Sequence, residues 1–152
     1  GSEIAGQLGF SDASVPQVDL LTAKKRYETV FQAAQAGLIS TCHDCSDGGL
    51  GVALAEMCVG GRLGAEVDLD KVPACGELNV TGLLYAESAS RLVVSVAPAD
   101  RGRFETLFAG QPCACIGSVS ESPVLSATLA GRKVLGVGVE ELARAFKETL
   151  AW

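Results

Sequence analysis

A chain of 152 residues with 48% hydrophobic and 20% charged residues has the length of one compact domain and enough apolar material for a sizeable core. Its net charge of −6 opposes a sequence-independent grip on nucleic acid, which needs clustered Lys and Arg; Arg101, Arg103, Arg132 and Lys133 are too scattered to form a stripe. No apolar run approaches the roughly 20 residues that span a bilayer, and the N-terminus lacks a signal-peptide pattern, so the expected location is cytoplasmic, with no membrane partner.

Residues 3–18 mix Gly, Ser and Pro with isolated apolar residues and hold no period, so 1–18 read as a connecting segment ahead of a domain over 19–152. Asp19 is placed to cap a helix in which Leu20, Ala23, Tyr27, Val30, Phe31 and Ala34 recur at helical spacing as the expected buried face. Lys24, Lys25, Arg26 and Glu28 take the other face, and Gly37 before Leu38 predicts a left-handed stop. Residues 39–44 read as a strand and 50–59 as a helix ended by Gly60 and Gly61.

Residues 65–69 alternate as a strand does, whereas 70–81, with Pro73 and Gly76, read as an irregular excursion. The nearly unbroken apolar run 92–97 predicts a strand covered on both faces and central in its sheet. Pro98 opens a helix that buries Phe104, Leu107 and Phe108 before Gly110 and Pro112 break it. Residues 113–119, 124–129 and 133–137 read as strands, with Ala130-Gly131 turning the last two into a hairpin. A closing helix carries Val139, Leu142, Phe146 and Leu150 on one face, and Glu140 and Glu141 sit in its first turn, where the helix dipole favours negative charge. This order holds two strand-helix-strand units plus additions, which predicts an α+β fold: a mixed β-sheet covered by helices.

The densest chemistry lies in CHDCSDGG, residues 42–49. Cys42 and Cys45 have the gap of a zinc knuckle with His43 between them, yet the matching half-site is missing, since Cys113 and Cys115 are separated by one residue. The same pair would be redox-active at a helix start, but Gly48-Gly49 stand there instead of the thiols. With a core present and no export signal, the six cysteines are expected to be free and mostly buried. A third reading takes in more residues. A strand, then Ser46-Asp47-Gly48-Gly49, then a helix places unpaired backbone N–H groups at one mouth, where glycines let a phosphate approach. Asp44 and Asp47 would repel a bare phosphate and so imply a bridging magnesium, a hydroxyl partner or a capping role. Spacing alone leaves that site and a plain N-cap by Ser46 or Asp47, with His43 a core histidine, both open.

The string from His43 to Leu50, continued by Ala53-Leu54-Ala55-Glu56-Met57, resembles the C-terminal repeat of the phosphoribosylformylglycinamidine synthase family, ATP-dependent amidoligases of purine synthesis within the aminoimidazole ribonucleotide synthetase superfamily. YAESASRLVVSV (residues 85–96), the ending GRKVLGVGVEELARAFKETLAW, and Pro16 and Asp19 before a basic-faced helix extend the resemblance over nearly the whole chain. It implies the second of two C-terminal halves, like the C-terminal domain of aminoimidazole ribonucleotide synthetase, in a synthase that converts formylglycinamide ribonucleotide and glutamine-derived ammonia to the amidine. ATP and magnesium would be bound mainly by other domains; the partners implied are those domains and the glutaminase component. The chain alone would be inactive, with an apolar patch where the missing halves dock, able to drive dimerisation.

The resemblance also assigns residues. Ser46, Asp47, Gly48 and Gly49 match the family's glycine turn, and Glu87 with Ser88 match the start of its substrate motif. Where the first repeat continues with glutamine this chain has Ala89, losing an amide that both donates and accepts hydrogen bonds, so this copy of the motif is expected to be structural more than catalytic. The resemblance thus implies a structural, interface-forming domain that keeps a residual phosphate- or substrate-binding turn at these six residues; no catalytic residue or metal ligand is assigned, and His43 as a general base and Asp44 rank below the turn. Other superfamily members remain alternatives, namely aminoimidazole ribonucleotide synthetase, selenophosphate synthetase and the hydrogenase maturation factor, as does a free-standing small-molecule or metal-binding module.

Overall fold

The computed structural model describes residues 3–9 and 17–148; Pro16 and Leu150 lie outside them. Its helices are α1 (Glu3–Gln7), α2 (Leu20–Gln35), α3 (Gly49–Gly61), α4 (Val80–Tyr85), α5 (Arg101–Leu107) and α6 (Val139–Glu148). The strands are β1 (Thr41–Asp44), β2 (Gly64–Asp68), β3 (Leu92–Ser95), β4 (Gly117–Ser120), β5 (Val124–Leu129) and β6 (Arg132–Gly138). Within the stretch read as connecting, α1 is helical.

The fold is α+β, but its strands divide between two sheets. β1 pairs antiparallel with β3, while β4-β2-β5-β6 form a mixed sheet in which only β2 and β5 run parallel. The two expected strand-helix-strand units are therefore not built: β1 and β2 flank α3, and β3 and β4 flank α5, yet each pair is split between the sheets. Side-chain alternation gives the reason. In β2, Ala65 and Val67 turn to the core and Glu66 and Asp68 away from it, a pattern suited to a sheet covered on one face only.

Two apolar clusters hold the chain together. The larger joins Leu50, Leu54 and Cys58 of α3, Leu83 and Leu84 of α4, and Val139 of α6 to Val67, Leu125 and Ala127 of the four-stranded sheet. The smaller joins Ala33, Leu38, Phe104 and Phe108, with the Phe rings stacked at 4.5 Å. β3 runs between them: Val93 packs on the first cluster, Val94 and Val96 on the second. It is thus covered on both faces as expected, but it is not central, since β1 is its one strand partner among the described residues.

Local signals place the helix ends well. Asp19 Oδ1 accepts the Thr22 N–H at 2.6 Å, a bond that lowers the carboxyl pKa. Gly37, at φ 68°, stops α2, and the N–H of buried Leu38 returns to the Ala33 carbonyl at 3.0 Å. The face of α2 is a correction, however. Ala23, Thr29 and Ala33 are its buried residues, whereas Leu20, Tyr27 and Phe31 are exposed, because small side chains line its contact with the rest of the domain.

Other boundaries also shift. Gly60 and Gly61 stay helical, and Arg62, at φ 55°, makes the left-handed turn instead. The excursion 70–81 already contains the start of α4, capped by the Asn79 side chain on the Gly82 N–H at 2.8 Å. Residues 113–116 are not strand; β4 begins at Gly117. Ala130 and Gly131, both at positive φ, make the predicted hairpin turn, and Asp70 Oδ2 accepts the Ala130 N–H at 2.7 Å. In α6, Val139 and Ala143 are buried, but Phe146 is exposed.

Candidate functional site

The glycine turn starts where β1 ends. Cys45 donates its N–H to the Arg91 carbonyl at 3.0 Å and puts its side chain into the larger core cluster, which leaves Ser46 and Asp47 exposed at the surface. The chain then reverses through Gly48 at φ 75° and Gly49 at φ 62°, a conformation that only glycine adopts without strain. Neither Ser46 nor Asp47 caps the helix with its side chain; Gly48 is the cap residue.

The two glycine amides of this turn are engaged inside the molecule. Gly49 donates to the Ser46 carbonyl at 2.9 Å, and Gly48 donates to Glu87 Oε1 at 2.9 Å. The two segments singled out from the sequence, 46–49 and 87–88, therefore meet through one charge-assisted hydrogen bond. Close packing accompanies it. A Cβ on Gly49 would sit 2.7 Å from the Ala86 carbonyl oxygen and 2.9 Å from that of Leu84, and one on Gly51 would sit 3.1 Å from the Tyr85 ring. The first turn of α3 thus lies against the backbone at the end of α4.

Three residues that sequence reasoning missed hold the Glu87 segment. Arg91 donates to the Ala86 carbonyl at 2.9 Å, Arg26 to the Ser90 carbonyl at 2.7 Å, and the Tyr27 hydroxyl to Ser90 Oγ at 3.1 Å. Ser90 is held at φ 63°, unusual for a residue with a Cβ. Arg26 and Tyr27 stand far from Ser90 in the chain, so no local spacing pointed to them. Ser88 and Ala89 are exposed on the same segment.

His43 is tied down on both ring nitrogens. Nε2 lies 2.9 Å from Glu56 Oε2, and Nδ1 lies 2.7 Å from the Asp44 carbonyl oxygen, with the Asp44 carboxylate 3.6 Å away. The ring therefore bridges β1 to α3, an orienting contact that the string from His43 to Met57 contained without showing it. Glu56, four residues short of the first glycine at the far end of α3, is the partner that the sequence reading left without a role.

The thiols lie apart in environment. Cys42 is exposed and Cys45 is buried, and burial pushes both thiols up, with the Asp44 charge adding to the rise; at Cys45 the Arg91 charge opposes it. A redox-active pair needs the opposite shift. Among the described residues no group of three or more His, Cys, Asp or Glu side chains is arranged to hold a metal ion. Cys58 is also buried, while Cys75, Cys113 and Cys115 are exposed, so the expectation of mostly buried thiols fails: these cysteines fall largely in loops outside the core.

Both glycine amides have partners within the chain, and the Glu87 carboxylate stands at the Gly48 amide. A shallow groove of about 430 Å³ lies elsewhere, on the outer face of the four-stranded sheet, lined by Glu66, Asp68, Lys71, Ser118, Ser126 and Thr128 among others. It shares no residue with the turn.

Comparison with known proteins places this geometry. Residues 1–130 match the family described as AIR synthase related protein, C-terminal domain. The phosphoribosylformylglycinamidine synthase subunit PurL of Deinococcus radiodurans is 37% identical over 143 residues, covering 93% of this chain and 19% of that protein. Among solved structures, PurLQS from Thermotoga maritima superposes with a TM-score of 0.78 at 27% identity, over 86% of this chain and 23% of that one. Thermotoga maritima PurL complexed with ATP gives a TM-score of 0.73 at 28% identity, over 79% of this chain and 21% of that one. The chain spans about a fifth of the length of the curated relatives it matches. No helix among the described residues is long and apolar enough to cross a membrane. With its fold and nearly all of its sequence matched, this chain belongs to the AIR synthase related protein C-terminal domain family.

Proposed function

We propose that this chain is the C-terminal half of the second repeat of a phosphoribosylformylglycinamidine synthase, and that within the whole enzyme it serves the ATP-dependent conversion of formylglycinamide ribonucleotide to its amidine in the cytoplasm. Its role there is structural and interface-forming. Residues 19–152 form the domain and 1–18 lead into it from the preceding part of the enzyme. ATP and magnesium are bound mainly by the other domains, and ammonia comes from a glutaminase partner.

One observation carries the structural assignment: the glycine turn and the glutamate-serine segment are bonded to each other through Gly48 and Glu87. In a nucleotide site the Gly48 amide would face a phosphate. Here a carboxylate of the same chain takes that place, so Ser46, Asp47, Gly48, Gly49, Glu87 and Ser88 act as an internal joint. His43 and Asp44 belong to its support, through Glu56.

The test pairs the isolated chain with the full-length polypeptide. Given formylglycinamide ribonucleotide, ATP, magnesium and ammonia, the 152 residues alone are expected to form no amidine, while the full-length polypeptide forms it. Amidine formation by the isolated chain would overturn the structural role, and none by the full-length polypeptide would overturn the synthase reading. Calorimetry of the isolated chain with magnesium-ADP is expected to show no saturable heat; saturable binding lost on Gly48→Val would return the turn to service as a phosphate site.

A further inference from the structure

Cys113 and Cys115 are both exposed and stand one residue apart, in a stretch without regular structure between α5 and β4. One end of that stretch is fixed. The Ile116 carbonyl accepts the Asp68 N–H at 2.7 Å, and the Cys115 thiol donates to the Gly117 carbonyl at 3.5 Å. The other end leaves α5 through Gly110, at φ 79°, and Pro112, which puts Cys113 in irregular backbone. The exposed side of α5 lies beside both thiols. Its Arg101 donates from Nε to Glu105 Oε1 at 2.8 Å across one helical turn. Desolvation of the sulfur, then the Glu105 and Cys115 charges, push the Cys113 thiol up. The Arg101 guanidinium is held up by Glu105 first and then by the Cys115 thiolate, so the cation stands on the Cys115 side.

We propose that Cys113 and Cys115 form a redox modification site, a dithiol that a small-molecule disulfide such as oxidised glutathione closes to an intrachain disulfide. The Cys115 thiolate attacks one sulfur of the reagent, whose S–S bond breaks and releases one glutathione thiolate. The Cys113 thiolate then attacks Cys115 Sγ in the mixed disulfide, and the second glutathione leaves. The protein gives up two electrons and two protons; the reagent takes both and becomes two thiols. Only the attacking thiol needs a cation at hand. The raised Cys113 thiol suits the second step, in which its target sulfur is already tethered beside it.

Closure is within reach of the backbone. Residues two apart in a chain lie within about 7.6 Å of each other and a disulfide needs Cα atoms about 4.4–6.8 Å apart, so a bend at Ala114 is enough. Cys42 and Cys45 lack this arrangement, since Cys45 lies in the larger core cluster and both of their thiols are pushed up, which leaves neither to lead. A metal ion is the weaker occupant of the pair. Glu105, a third donor beside the thiols, is taken by Arg101, and among the described residues no three such groups are arranged to hold an ion.

The test uses the full-length polypeptide in a buffer of oxidised and reduced glutathione, quenched with acid, alkylated and cut with trypsin. Cleavage after Arg103 and Arg132 releases residues 104–132, which hold Cys113 and Cys115 and no other cysteine, so the closed form is read directly from the peptide mass. Residues 27–62, with Cys42, Cys45 and Cys58, are the internal control. The closed fraction of 104–132 is expected to exceed that of 27–62 by about tenfold or more. Cys113→Ser should stop with glutathione on Cys115, and Cys115→Ser should take up glutathione at Cys113 about tenfold more slowly. Arg101→Gln is expected to slow closure about threefold in the native protein and not in concentrated urea. A 104–132 peptide that keeps two free thiols or joins another cysteine would overturn the site. So would equal glutathione uptake by the two cysteine variants, or native closure indifferent to Arg101→Gln.

Discussion

The two ends of α3 carry a glycine pair each, and the pairs behave as opposites. At Gly48-Gly49 both residues have positive φ, and an added Cβ would meet the Val52 side chain or the carbonyl oxygens of Ala86 and Leu84. At Gly60-Gly61 the backbone is helical and an added Cβ would meet nothing within 4 Å. The same dipeptide is thus a geometric necessity at one end and a mere absence of side chains at the other. What distinguishes them is tertiary: the end of α4 presses on the first glycine pair, and among the described residues nothing lies within 4 Å of a Cβ on the second.

The strongest way to break this contrast is Gly49→Ala. Forcing a Cβ into a left-handed residue and into two carbonyl oxygens is expected to cost about 3 kcal/mol or more, read as a lower denaturation midpoint. A loss below about 1 kcal/mol, the scale of an ordinary helical Gly-to-Ala change, would mean that the close approach at the N-terminal end is not a constraint. Next comes Glu87→Ala, which leaves the Gly48 amide without its carboxylate at a cost of about 1–3 kcal/mol. If the carboxylate stands where an anion would, sulfate should restore part of the melting temperature of Glu87→Ala and little of the parent's. An equal salt response in both proteins would count against that account.

At the open end the sign reverses. Gly60→Ala is expected to stabilise the domain by about 0.5–1 kcal/mol, since it raises helix propensity in free space; a destabilised protein would show that the end of α3 is packed after all. The smallest effect needs no substitution. Burial pushes the Cys45 thiol up beside the closed end, so at neutral pH iodoacetamide should label it well after exposed Cys75, and raising the pH should speed its labelling as thiolate forms. Equal labelling rates in the folded protein would place Cys45 outside the core.

Much of this was legible in the sequence wherever the cause is local. Asp19 capping Thr22, Gly37 stopping α2 and Ala130-Gly131 turning the hairpin each depend on residues within a few positions of one another. The α+β class followed from the run of elements. What escaped reading depends on partners distant in the chain. Periodicity marked Leu20, Tyr27 and Phe31 as one face of a helix, but it carries no information on whether anything covers that face. Likewise the motif letters 46–49 and 87–88 were visible, but not that Glu87 would turn its carboxylate onto the Gly48 amide, or that Arg26 and Tyr27 would clamp Ser90. Strand partners failed for a related reason: adjacency in sequence suggested β1 with β2, while one-sided burial of β2 sent them to different sheets.

The parallel pairing of β2 with β5 has a consequence for how the molecule opens. These neighbours are joined by the whole chain between Asp68 and Val124, which carries β3, α5 and the two stacked Phe rings of the smaller cluster. Lengthening a flexible connection raises its closure entropy only slowly, so that stretch can loosen while the strands it links stay zipped. Hydrogen exchange should then find the α5 amides exchanging through partial opening and those of β5 only through global unfolding. A protein built this way can yield at one flank, breathing there, without surrendering its frame.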